Sequence, residues 1–164
     1  DNVMRNSNVI GIIKKDRKKI LVVISLIVLL CLVFGVPKSA GASGQRVDDV
    51  QLLARAINGE ARGEPYEGQV AVGAVILNRT KSSSFPDTIS GVIYQPGAFT
   101  AVSDGQISVA IEPKSTVVKA ARDAINGWDP TYGCLYYWNP ATATSKWIWS
   151  REIIVKIGKH NFGK

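Results

Sequence analysis

Residues 70–77, Val-Ala-Val-Gly-Ala-Val-Ile-Leu, constrain this 164-residue chain more than any other described by its sequence. A helix with one face in water keeps polar residues on that face, whereas one that is apolar almost all round has to be covered on every side. Pro65 suits the first turn of such a helix, where its missing N–H has no partner to lose, and Asn78-Arg79 form a polar exit. A segment of this kind belongs at the centre of a domain, with the other elements wrapped around it.

The neighbouring sequence supplies those elements. Val50, Leu53, Ala54 and Ile57 fall at i, i+3, i+4 and i+7, one apolar face of a helix that Asp48 or Asp49 can cap. Asn58-Gly59 is expected to stop it, because glycine accepts the left-handed conformation that ends many helices. Glu60 then sits at, or just past, a helix C-terminus. After a loop at Ser82–Pro86, Asp87 can cap a short helix carrying Ile89, Val92 and Ile93. Gln95-Pro96-Gly97 turns the chain into a short extended piece, Ala98–Val102. A third long helix starts near Ser115, buries Val117, Val118, Ala121, Ala124 and Ile125, and stops at Asn126-Gly127.

The last third changes character. Cys134–Trp138 and Ile153–Ile157 are rich in β-branched and aromatic residues, hence strands. Between them a polar loop, Asn139–Lys146, leads into Trp147-Ile148-Trp149. Helices followed by a small antiparallel sheet make the class α+β.

The N-terminal part is of a different kind. Lys14, Lys15, Arg17, Lys18 and Lys19 precede an unbroken apolar run, Ile20–Val36, and Ala40-Gly41-Ala42 offers small residues for cleavage. This pattern predicts a secretory signal over residues 1–42, or an uncleaved membrane anchor over residues 20–36. Either places the remainder in the cell envelope, with residues 43–47 a short linker and 48–164 the functional domain. Membrane contact is expected only through the N-terminal segment. The formal net charge of +7 divides into +5 for residues 1–42 and +2 for the rest, so the domain lacks the electrostatic footprint of a nucleic-acid binder. Cys31 follows Leu30 rather than a small residue, which argues against lipidation, and Cys134 is left without a disulfide partner in the domain.

Elimination narrows the chemistry. With one histidine, His160, the chain lacks a two-histidine zinc motif, and no G-x-S-x-G elbow, P-loop or G-x-G-x-x-G is present. Carboxylates and aromatics remain. Asn58-Gly59-Glu60-Ala61-Arg62-Gly63-Glu64-Pro65 gathers two acids, an arginine and two glycines between two helices. A carboxyl that is desolvated and near other acids can keep a proton at neutral pH and give it to a glycosidic oxygen. The plainer alternative is that Glu60 pairs with Arg62 or Arg55, while Glu64 and Glu67 favour a helix N-terminus. Tyr136, Tyr137, Trp138, Trp147 and Trp149, with Asn139, combine flat apolar faces with hydrogen-bonding groups, the combination that binds sugar rings. A cysteine peptidase or amidase using Cys134 and His160, and a non-catalytic glycan-binding module, are the readings from other classes; outside the first of these, His160 is expected as a structural hydrogen-bonding residue near a sheet edge.

These same segments carry a resemblance. Asn58 through Arg79, Ala98-Phe99-Thr100-Ala101-Val102, Gly127-Trp128-Asp129-Pro130, Asn139 through Trp149 and Ile157 through Phe162 are similar to the spore cortex-lytic cell-wall hydrolase family. The similarity covers about Val47 to Phe162. It implies a lysozyme-like catalytic core that cuts peptidoglycan glycan strands during spore germination; the missing motifs add the expectation of no metal or cofactor, and the chain is expected to act as a monomer. It also implies that the catalytic residue is the first glutamate of the Gly-Glu-Ala-Arg-Gly-Glu-Pro motif, Glu60 here. The candidate substrate-binding residues are Glu64, Gln69, Phe99, Thr100, Asn139, Trp147 and Trp149 within the matched segments, and Tyr137 in the aromatic run just before Asn139. A lytic transglycosylase needs one carboxyl, first as acid and then as base; a muramidase-type hydrolase needs a second, for which Asp104 is the candidate. Germination-type members usually carry an N-terminal peptidoglycan-binding module, whereas here the leader precedes the catalytic segment directly.

Overall fold

The computed structural model describes the backbone of residues 40–164 and the side chains of residues 48–164. The apolar run at 20–36, Cys31 and the start of the expected leader lie outside the described residues. Ser43–Lys164 forms one folded unit.

The all-apolar segment is the central element. Helix α2, Tyr66–Thr80, buries nine consecutive residues from Gly68 to Ile76, which only a helix surrounded on every side can do. Helix α1, Ala40–Ala61, lays Leu53, Ala54 and Ile57 against it. Gly73 lies where the helices crowd: a Cβ there would stand 3.0 Å from Ile57 Cδ1 and 3.2 Å from Ala124 Cβ. Removing Ile57 or Ile76, both fully buried, to alanine would cost about 2–5 kcal/mol in lost burial and residual cavity.

Two short helices follow, α3 at Ile89–Ile93 and α4 at Thr100–Ser103. Thr88 caps α3 by accepting a hydrogen bond from Gly91 N at 3.0 Å, in place of the expected Asp87. Residues 98–102 are not a strand: only Phe99 is extended, at φ −136 and ψ 129, before the chain turns into α4. Helix α5, Thr116–Ile125, is capped by Ser115 and followed by Gly127 at φ 106, as its sequence signals indicate. It packs on α2, and Tyr66 OH joins the two by donating to Asp123 Oδ2 at 2.6 Å.

Helix α1 departs from expectation at both ends. It runs through residues 43–47, expected as a linker, and through Asp48 and Asp49, expected as caps; no proline interrupts that stretch. It also continues past Gly59 to Ala61. Gly59 therefore has another purpose, since a Cβ on it would meet Ala101 Cβ at 2.5 Å. The residue is small so that α4 can approach, and it does not adopt a left-handed φ.

The sheet has three antiparallel strands in the order β1 (Tyr136–Trp138), β3 (His160–Gly163), β2 (Ile153–Ile157). Tyr137 pairs with Phe162, and Ile157 with His160. Strand β3, all four residues of it buried, is thus the middle of the sheet, and His160 is not at its edge. Paired residues share a face, so Tyr137, Phe162 and His160 lie on one side, and Phe162 is fully buried in the core. Trp147-Ile148-Trp149 belongs to a 3₁₀ turn, Lys146–Ser150, that buries Ile148 and exposes both indoles.

Candidate active site

Glu60 occupies the last turn of α1, half buried, where its carboxylate meets α4 on one side and the sheet on the other. Oε1 accepts a hydrogen bond from Thr100 Oγ1 at 3.1 Å, and Oε2 accepts one from Tyr137 OH at 3.2 Å. The C-terminal end of a helix repels an anion, and these two hydroxyl donors offset that repulsion. Neither arginine suggested as an ion-pair partner is used. Arg55 Nη1 donates to Ile107 O at 3.5 Å and Arg62 Nη1 to Gln106 Oε1 at 3.4 Å.

Thr100 comes to Glu60 because Gly59 lets α4 sit against α1. Tyr137 comes from β1, where it alternates with Tyr136 across the sheet. Burial pushes the Tyr137 phenol well above the ordinary tyrosine value, and the negative charge of Glu60 pushes it the same way. Tyr137 therefore stays a phenol at any working pH. Behind β1, Arg79 Nε donates to Leu135 O at 2.8 Å, and its guanidinium lies 5.0 Å from the centre of the Phe85 ring. Burial holds the Arg79 guanidinium below its usual range.

The other candidates are placed differently. The Glu64 side chain is 8 % exposed, and its Oε2 accepts from Lys159 N at 2.8 Å, in the β2–β3 turn. Gln69 is buried and donates through Nε2 to Glu64 O at 3.2 Å. Phe99 is 3 % exposed, so its ring belongs to the core and cannot serve as a sugar platform. Asn139 holds its own loop: Oδ1 accepts from Ala141 N at 2.9 Å and the carbonyl from Ala143 N at 2.9 Å. Trp147 and Trp149 are about half exposed. Trp147 packs edge-on against Tyr136, with ring centres 5.4 Å apart, and Tyr136 points to the sheet face opposite Tyr137. Of the candidates, Thr100 and Tyr137 alone hydrogen-bond to Glu60.

The groups required by the competing mechanisms are engaged elsewhere. Asp104 accepts from Gln106 through both oxygens, at 3.0 Å from the backbone N and 2.9 Å from Nε2. Cys134 is fully buried and its thiol donates to Thr131 O at 3.0 Å. Burial raises the Cys134 thiol, which keeps it from being the thiolate a cysteine peptidase needs. His160 is the neighbour of Glu64, Tyr137 and Phe162. It lies on the central strand rather than at a sheet edge, with its ring centre 5.5 Å from that of Tyr137.

Known proteins match this chain in sequence and in fold. The family model described as Cell Wall Hydrolase matches residues 63–163, beginning just after Glu60. A spore cortex-lytic enzyme of Bacillus cereus is 61 % identical over 131 residues, which are 78 % of this chain and 50 % of that protein. The cell wall hydrolase CwlJ of Bacillus subtilis is 31 % identical over 121 residues, 70 % of this chain and 83 % of that protein. The chain spans about half the length of the spore cortex-lytic relatives it matches. Among solved structures, the catalytic domain of the germination-specific lytic transglycosylase SleB from Bacillus anthracis is 60 % identical with a TM-score of 0.69, covering 79 % of this chain and 100 % of that one. The catalytic domain of the Bacillus cereus SleB protein is 65 % identical with a TM-score of 0.68, covering 71 % of this chain and 90 % of that one. By sequence and by fold, the chain belongs to the cell wall hydrolase family.

Proposed function

We propose that this chain cleaves peptidoglycan glycan strands between N-acetylmuramic acid and N-acetylglucosamine, as a lytic transglycosylase acting on spore cortex during germination. The observation that carries the reading is Glu60 held through both oxygens by two hydroxyls, Thr100 and Tyr137. The relatives named for cortex lysis, and the SleB domain named as a lytic transglycosylase, support it.

A carboxyl group offers about four lone-pair positions, and the two hydroxyls occupy two of them. Glu60 can therefore carry a proton towards the substrate while its orientation is kept. It gives that proton to the glycosidic oxygen, the bond from muramic C1 to that oxygen breaks, and the glucosamine 4-hydroxyl leaves. The muramic 6-hydroxyl then bonds to C1, closing a 1,6-anhydro ring, and its proton returns to Glu60. No water is consumed and the catalyst ends as it began. Hydroxyls that both donate and accept suit a group that alternates between acid and base. Tyr137, fixed as a phenol, keeps its donor through the cycle.

Export to the cell envelope, through the basic and apolar N-terminal segment, and action as a monomer belong to the same proposal. The test is digestion of purified cortex and vegetative sacculi side by side, with mass spectrometry of the products. Anhydromuramic ends support transglycosylation, whereas reducing muramic ends overturn it in favour of hydrolysis. Glu60→Gln should lower the rate about 10²–10⁴-fold with the fold intact. Near-normal activity in that variant would remove Glu60 from the mechanism.

A further inference from the structure

We propose that Glu64 and His160 are positioning residues that hold Tyr137 against Glu60 and touch no glycan, an assignment that rests on the role given to Glu60 above. The Glu64 carboxylate is enclosed rather than offered to solvent. Its Oε2 accepts from Lys159 N at 2.8 Å, and a Cβ on Gly158 would collide with the same oxygen. Gly158 stands at φ 59, in the left-handed region. The β2–β3 turn is therefore built around the carboxylate of Glu64, and that turn sets where β3 begins.

The first residue of β3 is His160. Its ring stands edge-on to Tyr137, with centres 5.5 Å apart and planes at 85°. Phe162, two residues along the same face, lies 6.1 Å from Tyr137 by ring centres. The two rings pack against the phenol, whose hydroxyl donates to Glu60 Oε2 at 3.2 Å. His160 Nδ1 is buried without a hydrogen-bond partner and lies 3.9 Å from Glu64 Oε2. A shift of about 1 Å would make this a hydrogen bond from an Nδ1–H to the carboxylate, fixing the ring's tautomer and tilt. A buried carboxylate costs more to desolvate than an apolar side chain, and here that cost is offset by the bond from Lys159 N.

Four charged or titratable groups face the imidazole: Glu64 from the segment before α2, Glu60 from α1, Lys159 from the turn and Tyr137 from β1. Burial holds His160 below the usual histidine range; Glu64 and then Glu60 act against that, and Lys159 acts with it. The contact with Glu64 is thus not an ion pair at neutral pH.

His160 is the one histidine of the chain, so its imidazole NMR signals are unambiguous in the full-length protein. Glu64→Gln keeps an oxygen for Lys159 N and removes the charge. It should lower the His160 titration midpoint, by more than Glu60→Gln does. On purified cortex it should lower kcat by about tenfold to a hundredfold with KM unchanged, as expected of a misplacement that leaves binding intact. Glu64→Ala should fall further, with glutamine recovering most of the difference. A raised KM at unchanged kcat would mean that Glu64 binds glycan. A loss as complete as that of Glu60→Gln would make it a second catalytic acid, and an unmoved His160 midpoint would break the link between them. Any of these overturns the assignment. The NMR measurement is independent of turnover. An inactive wild type with a responsive His160 would refute the proposed function alone, and an active one with an unresponsive His160 the positioning alone.

Discussion

Gly59→Ala sets two effects against each other. Alanine in a helix interior is favoured over glycine by about 1 kcal/mol, so local propensity predicts a more stable protein. Packing predicts the reverse. The new methyl would stand 2.5 Å from Ala101 Cβ, whereas ordinary contact begins at 3.4 Å. Ala101 Cβ is fixed to the backbone of α4, so nearly 1 Å of relief has to come from moving that turn. Overpacking of this kind costs about 1–3 kcal/mol, which leaves a net loss of about 0–2 kcal/mol after the propensity gain. Thr100 moves with the turn, and its 3.1 Å bond to Glu60 then stretches beyond hydrogen-bonding distance. Losing that orientation should slow cleavage by up to about a hundredfold. Urea unfolding and muropeptide release measure the two parts. Adding Ala101→Gly, which removes the colliding methyl, should recover most of the activity. A Gly59→Ala protein that is more stable and fully active would refute the packing argument and leave Gly59 without the purpose assigned to it.

Tyr137→Phe removes the hydroxyl that Glu64 and His160 position, so it should reduce turnover at least as far as Glu64→Gln does, about a hundredfold in the same release assay, and lower stability by about 1 kcal/mol. Because the folded-state value of His160 is depressed below 6.5, its contribution to stability is present above that pH and is lost as the pH falls through the lower folded value. His160→Gln should flatten that part of the urea midpoint against pH. Tyr66 behaves in the opposite sense. Burial and the bond to Asp123 raise its phenol to about 12, so this stabilisation is complete below pH 10 and disappears as the pH rises through 12. Tyr66→Phe should remove the alkaline decline, followed by circular dichroism. Tyr132 is exposed at φ 59, a conformation asparagine tolerates better, and Tyr132→Asn should gain about 1 kcal/mol in urea.

Much of the helical architecture could be read in advance because its signals are local. The burial of residues 68–76 follows from their composition, and Ser115 and Gly127 mark the ends of α5 by their own side-chain chemistry. Strand β3 has no such signal. His160-Asn161-Phe162-Gly163 contains no β-branched residue, and its central place comes from pairing with two distant strands. Gly59 was misread for a related reason: a neighbour 42 positions further on, Ala101, decides what it does. At the site, motif similarity pointed to Glu60. Its partners Thr100 and Tyr137 are 40 and 77 residues away, so their hydroxyl contacts exist only once the chain has folded. Phe99 and Asn139 resembled sugar-binding residues by type, but the core and the loop use them first.

The order of the sheet has a consequence in time. Strands β1 and β2 pair with β3 and not with each other, and β3 comes last in the chain. During synthesis from the N-terminus, Glu60 and α2 are made long before the strand that packs against Tyr137. A growing chain can assemble its helices yet lacks an oriented acid until residues 160–163 slot between two strands already waiting. The acid of the site is thus among the first parts of the domain to be made and among the last to be oriented.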